Sequence, residues 1–151
     1  MDVIDQQIVE ILQIEGRITN SELAKRVGLS AGPCLERVKK LEKNGVIIGY
    51  HAQVNPEKIG IGMFSFVEVT LARHKHDAVV SFVSTIKSIP EIINCYHITG
   101  RADYLLEIAT KDIAAYEKFV IDVLSTLPGV QHLETMVVLS GVKTKKSLPS
   151  F

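Results

Sequence analysis

Residues 30–43 hold a spacing suited to nucleic-acid chemistry. Ser30, Ala31, Gly32 and Pro33 are small or ring-closed, and Arg37, Lys39, Lys40 and Lys43 follow them within the same apolar-periodic stretch. On a helix, short residues at the N-terminal end let the backbone approach a DNA groove, while basic side chains further along reach phosphate oxygens. Ser30, Ala31, Gly32, Pro33, Arg37, Lys40 and Lys43 are therefore the candidate DNA contacts. A solvated charged face is the competing reading, because Glu36 and Glu42 dilute the cluster and residues 1–50 carry seven basic and seven acidic groups. Glu36 beside phosphates is repulsive unless it pairs with Lys40 or accepts from a cytosine amino group.

A second candidate lies at Thr99, Gly100, Arg101, Ala102, Asp103 and Tyr104, between two strand-like runs. Gly and Asp are ordinary turn residues, so a plain hairpin accounts for them. The same residues suit a small zwitterion, with backbone N–H groups around Gly100 for its carboxylate and Asp103 for its ammonium. On the residues alone the plain hairpin is the favoured reading. His74-Lys75-His76, with Cys95, His97 and His132, raises a metal sensor, since imidazole and thiolate suit zinc or copper. His74 and His76 fall in a loop without fixed register to the others, so scattered surface histidines are the simpler reading and no metal site is expected. There is no P-loop, no G-x-S-x-G and no carboxylate pair with an evident role, and no enzyme is expected. Cys34 and Cys95 lack CxxC spacing, which points to a reducing compartment, the cytoplasm.

These residues need elements to hold them. The chain has 151 residues, 46% of them hydrophobic and 23% charged, enough apolar mass for a core and too little length for a large multidomain enzyme. Lys plus Arg and Asp plus Glu are 17 each, so any DNA contact must come from local placement of charge. Ile4, Ile8, Ile11 and Leu12 predict a first helix ending at Gly16. Thr19-Asn20-Ser21-Glu22 reads as a capping box opening a second, with Leu23, Ala24 and Val27 inward and a turn at Gly28. Ser30 is expected to cap a third, in which Leu35, Val38 and Leu41 face inward before an Asn44-Gly45 stop. The second and third helices with their glycine turn form a helix-turn-helix pattern. Asp2 and Asp5 with no basic leader argue against a secretory signal, and no apolar run is long enough to span a membrane.

From residue 62 the period becomes two. Met63, Val67, Val69 and Leu71 alternate with Phe64, Phe66, Glu68 and Thr70. A helix over 77–87, strands over 92–99 and 104–110, a helix over 113–125 and a strand over 130–139 complete a βαββαβ order. The predicted architecture is α+β: a three-helix helix-turn-helix domain over 1–50, a linker over 51–61, and a ferredoxin-like sandwich over 62–151. The basic tail from Lys143 is expected to order only on a partner. Val67, Val69, Leu106 and Ile108 form one apolar sheet face, and Phe64, Phe66, Leu105 and Val138 another. Two helices cover only one face, so a homodimer is expected on the other.

The chain resembles the Lrp/AsnC, or feast/famine, transcriptional regulators of bacteria and archaea over nearly its whole length. The resemblance rests on Ile4-Asp5, Gly16-Arg17-Ile18, Glu22-Leu23-Ala24, Val27-Gly28-Leu29-Ser30, Cys34-Leu35 with Arg37-Val38 and Leu41, Gly45-Val46-Ile47 and Gly49-Tyr50. Gly100-Arg101-Ala102-Asp103-Tyr104 is similar to the family's G-x-x-D-[YF] turn. Glu36 departs from the basic or neutral residue many relatives carry there. The resemblance implies sequence-specific binding to double-stranded DNA, an amino-acid effector at Thr99–Tyr104, no other cofactor, and dimers assembling further, often to octamers. It also implies that the last strand of a neighbouring subunit closes the pocket, through His132, Glu134, Thr135 and Met136. Cys34 is a packed position in this scheme. The alternatives are a small-molecule-binding or metabolic oligomer without DNA binding, and a metal-responsive repressor.

Overall fold

A computed structural model describes residues 1–72, 76–144 and 147–149. The chain forms two compact units, Met1–Gln53 together with the tail from Val142, and Val54–Gly141. The tail thus leaves the domain to which its sequence position assigns it. The Gln13 amide acts as a strand-like partner, its Nε2 donating to the Leu148 carbonyl at 3.3 Å and its Oε1 accepting from the Leu148 N–H at 2.6 Å. Lys145 and Lys146, part of the basic tail motif, lie outside the described residues.

Helix α1 runs Val3–Ile14 and opens with a reciprocal capping box. Asp2 accepts from the Asp5 N–H at 2.8 Å, and the Asp2 N–H donates to the Asp5 carboxylate at 3.3 Å. Helix α2 spans Asn20–Arg26 with Thr19 accepting from the Glu22 N–H at 3.2 Å. Only half of the expected box forms there, because the Glu22 carboxylate turns to Arg26 at 3.5 Å. Gly28, at φ +70°, takes the left-handed conformation that lets the Leu29 N–H return to the Ala24 carbonyl at 2.8 Å. Helix α3 spans Ala31–Lys43 and ends at the expected stop, where the Val46 N–H bonds to the Leu41 carbonyl at 2.9 Å.

Ser30 sits at the N-cap of α3 with extended backbone, yet its side chain makes no capping hydrogen bond. One of the two N–H groups that an N-cap hydroxyl can use is missing. Residue N3 is Pro33, which has no N–H to offer the hydroxyl. Ile8, Leu23, Ala24, Val27, Cys34 and Leu41 form the buried core of this unit, with Leu29, Val38 and Ile47 packed at its edge. Leu35, expected inside, is exposed. Val46–Tyr50 forms no strand despite its β-branched composition.

In the second unit, β1 is Met63–Leu71, α4 His76–Ile86, β2 Ile92–His97, β3 Tyr104–Thr110, α5 Ile113–Asp122 and β4 Val130–Val137. The βαββαβ order stands as predicted. The sheet order is β2-β3-β1-β4 with every neighbour antiparallel, the arrangement of a split βαβ sandwich. Val67, Val69, Leu106 and Ile108 pack with Phe82 and Ile86 of α4 and Tyr116 and Phe119 of α5. Strand β1 alternates buried and half-buried residues along its whole length, so Phe64, Phe66 and Glu68 share the opposite face.

Candidate functional sites

The N-terminal end of α3 presents Ser30, Ala31, Gly32 and Pro33 to solvent. The Asn20 amide braces that end from α2, donating through Nδ2 to the Ala31 carbonyl at 2.7 Å. Sequence reasoning missed this brace, which depends on the helix-turn-helix crossing. Lys40 and Lys43 are exposed. Glu36 pairs with Lys39 at 3.0 Å rather than with the expected Lys40, so the acid that interrupts the basic face is neutralised locally and Lys40 is left to solvent.

Arg37, expected at a phosphate, is paired within its own unit. Its Nη1 donates to Asp2 at 2.6 Å and to Asp5 at 2.7 Å, both at the start of α1. The pairing keeps the guanidinium charged, while the Asp5 N–H and then Arg37 hold the Asp2 carboxyl below its ordinary range. At the other end of α3, the Tyr50 hydroxyl donates to Glu42 at 3.0 Å. Partial burial and this carboxylate push the Tyr50 pKa up to about 12. Cys34 is fully buried, and burial raises its thiol pKa, which agrees with a packing role.

At the second candidate site, Thr99, Gly100 and Arg101 are exposed, whereas Ala102 and Tyr104 are buried. Gly100, at φ +135°, holds a backbone conformation L side chains rarely adopt. Asp103 is a clasp: its carboxylate accepts from the Leu71 N–H at 2.8 Å and its own N–H donates to the Val69 carbonyl at 2.9 Å. Its side chain is therefore already engaged by backbone. The Tyr104 ring lies between Phe82 and His97, each with ring centroids 5.0 Å away, and points to the helix-covered side.

The four β4 candidates divide between faces. Glu134 is opposite Glu68, Met136 opposite Phe66 and His132 opposite Thr70, all on the open face. Thr135, opposite Val67, lies on the helix side with its hydroxyl 2.6 Å from that of Tyr116. Side chains alternate along a strand, so Thr135 does not share the face of the other three candidates. Arg101 reaches Glu68 at 4.0 Å, so loop and open face meet in an Arg101–Glu68–Glu134 row. Cys95 and His97 face the helix side, opposite Leu106 and Tyr104. His74 and Lys75 lie outside the described residues, among which no group of three or more His, Cys, Asp or Glu is arranged to hold a metal. No described helix is long and apolar enough to cross a membrane.

Residues 65–148 match the Lrp/AsnC ligand-binding domain, and residues 1–48 match a winged helix-turn-helix DNA-binding domain. The chain belongs to the Lrp/AsnC family. It is a transcriptional regulator with a DNA-binding helix-turn-helix unit and a ligand-binding unit. It is 46% identical over 143 residues to the leucine-responsive regulatory protein of Haemophilus influenzae, covering 95% of this chain and 86% of that one. The protein of the same name in Escherichia coli K12 is 43% identical over 148 residues, covering 98% and 90%. Among solved structures, a Neisseria meningitidis transcriptional regulator in complex with L-methionine matches with a TM-score of 0.95 and 39% identity, over 99% of this chain and 96% of that one. An AsnC-family regulator from Agrobacterium tumefaciens gives a TM-score of 0.93 at 32% identity, over 99% and 97%.

Proposed function

We propose that this regulator reads duplex DNA in the cytoplasm with the N-terminal end of α3, residues Ser30, Ala31, Gly32 and Pro33, and holds phosphates with Lys40 and Lys43. An amino acid bound at the Thr99–Tyr104 loop adjusts that binding by favouring one assembly state. The observation that carries the DNA half is the uncommitted start of α3. The Ser30 hydroxyl caps nothing, the first-turn N–H groups have no intrahelical partner, and no acidic residue stands in that turn.

The effector half draws on the loop's chemistry. Gly100 exposes backbone, Arg101 supplies a cation, and Glu68 and Glu134 supply anions, the complement of a zwitterion. Support for an amino acid comes from the L-methionine bound to the Neisseria protein and from the relatives' leucine-responsive name. Phe64, Phe66 and Leu105 cover a second copy in a homodimer that assembles further, up to an octamer, and His132, Glu134 and Met136 of a neighbouring copy close the pocket. The chain regulates and does not catalyse.

Selection of bound sequences from random duplex DNA, with and without L-methionine and L-leucine, tests both halves. Enrichment of imperfect palindromes with half-sites about one helical turn apart is expected. Failure to retain any duplex at low salt refutes the DNA half. Enrichment and affinity indifferent to every amino acid refute the effector half.

A further inference from the structure

Arg37 lies on α3 beside the core stripe of Cys34, Val38 and Leu41, on the flank that meets the start of α1. Its side chain is one-third exposed, at 33%, and the Asp5 side chain only 18%. One nitrogen serves two carboxylates at 2.6 and 2.7 Å. Those carboxylates are themselves fixed, since each accepts a backbone N–H of the other's residue in the capping box. The box is thus a preformed anionic receptor, and the arginine it receives belongs to the helix that carries the DNA-facing residues. Free surface arginines are flexible cations; this one is held on a built site within its own unit.

We propose that Arg37 is a positioning residue, locking α3 to the capping box of α1 so that Ser30–Pro33 keep their aim at the groove, and that it touches no phosphate. This rests on the DNA-binding reading above and separates its α3 cations by role. Lys40 and Lys43 neutralise phosphate, while Arg37 orients the helix.

The sign of one double variant's effect decides the matter. Asp2→Asn with Asp5→Asn keeps both capping acceptors, because Asn caps as well as Asp, but removes two negative charges and both ion pairs. Electrostatics alone then predicts tighter DNA binding, and tighter still if Arg37 is freed to reach phosphate. The positioning role predicts the opposite: affinity of the full chain for its selected duplex falls roughly three- to tenfold. Non-specific duplex affinity holds, because a misaimed helix loses base readout before it loses charge attraction. A loss of folded protein would instead lower both affinities together. Arg37→Gln gives the same loss of discrimination with an unchanged slope of affinity against salt, whereas a lost phosphate contact would reduce that slope by about one. Asp2→Asn alone, at the more exposed pair, gives the same sign should the double variant fold poorly.

Unchanged or raised affinity in the asparagine variants, or a slope reduced by about one in Arg37→Gln, overturns the proposal. Wild-type protein that retains no duplex at all removes the DNA-binding reading itself, and the role of Arg37 with it.

Discussion

Asp103 has a structural role that its proposed recognition role must share. One oxygen accepts the Leu71 N–H at 2.8 Å, and a carboxylate keeps further lone pairs for a ligand ammonium. Asp103→Ala therefore unpins the end of β1 as well as removing charge, and its loss of effector response would be ambiguous. Asp103→Asn retains a backbone acceptor and removes only the charge. We expect Asp103→Asn to keep its unfolding midpoint within about 0.5 kcal/mol while calorimetry against the effector turns flat, and Asp103→Ala to lose about 1–3 kcal/mol as well. Wild-type effector affinity in both variants would place ammonium recognition elsewhere. Ser65 makes the reverse case. Ser65 is 1% exposed in the core and its hydroxyl has no hydrogen-bond partner among the described residues, so Ser65→Ala should raise stability by about 1 kcal/mol in urea unfolding. A destabilised Ser65→Ala protein would reveal a buried partner for that hydroxyl. Neither role is legible in the sequence, because both depend on which backbone group the strand register brings alongside.

Elements were legible where periodicity is strong and local. Strand β3 ends where alternation predicts, at Tyr104 and Thr110, while α5 stops at Asp122, short of the predicted 125, and yields to a 3-10 turn over Leu124–Thr126. The missing Ser30 cap was also readable in principle, since Pro33 stands where the N–H should be. What periodicity cannot carry is the pairing between elements: Arg37 with Asp2 and Asp5, Arg26 with Glu15, Gln13 with Leu148. Two of them, Arg26 with Glu15 and Arg37 with Asp2, contribute to the acid response of the helix-turn-helix unit. Arg26, 2.6 Å from Glu15, holds that carboxyl below its ordinary 4.5, and the capping N–H and Arg37 hold Asp2 below 3.8. A depressed folded pKa contributes stability that is fully present above the unfolded value and is lost as pH falls through the folded one. Thermal melts of the full chain should therefore be flat in these contributions above pH 4.5 and decline below it, and Arg26→Gln should remove the share carried by Glu15. A decline unchanged by Arg26→Gln would exclude that pair as a source.

At the scale of the whole molecule, the proposed coupling of effector to DNA runs through the open sheet face. Glu68 and Glu134 stand directly opposite each other there, a like-charge pair that costs stability unless something answers it. Arg101 at 4.0 Å is a partial answer within one chain, and a zwitterion supplying its own ammonium would be a fuller one. The apolar part of the face, Phe64, Phe66 and Leu105, is where the proposed homodimer would form. A ligand can shift DNA affinity only through a difference in its binding to two states, and the proposed pocket completed by a neighbouring copy would provide that difference. Replacing Phe64 and Phe66 together by Asp should therefore release monomers in light scattering and abolish the effector's influence on DNA at the same time. In the wild type that influence should be on the order of 5- to 150-fold at saturation, the usual span of allosteric coupling. The monomer should still hold non-specific DNA weakly, since Lys40 and Lys43 remain in place. A double variant of wild-type mass, or a monomer whose DNA affinity still follows the amino acid, would detach effector sensing from this face.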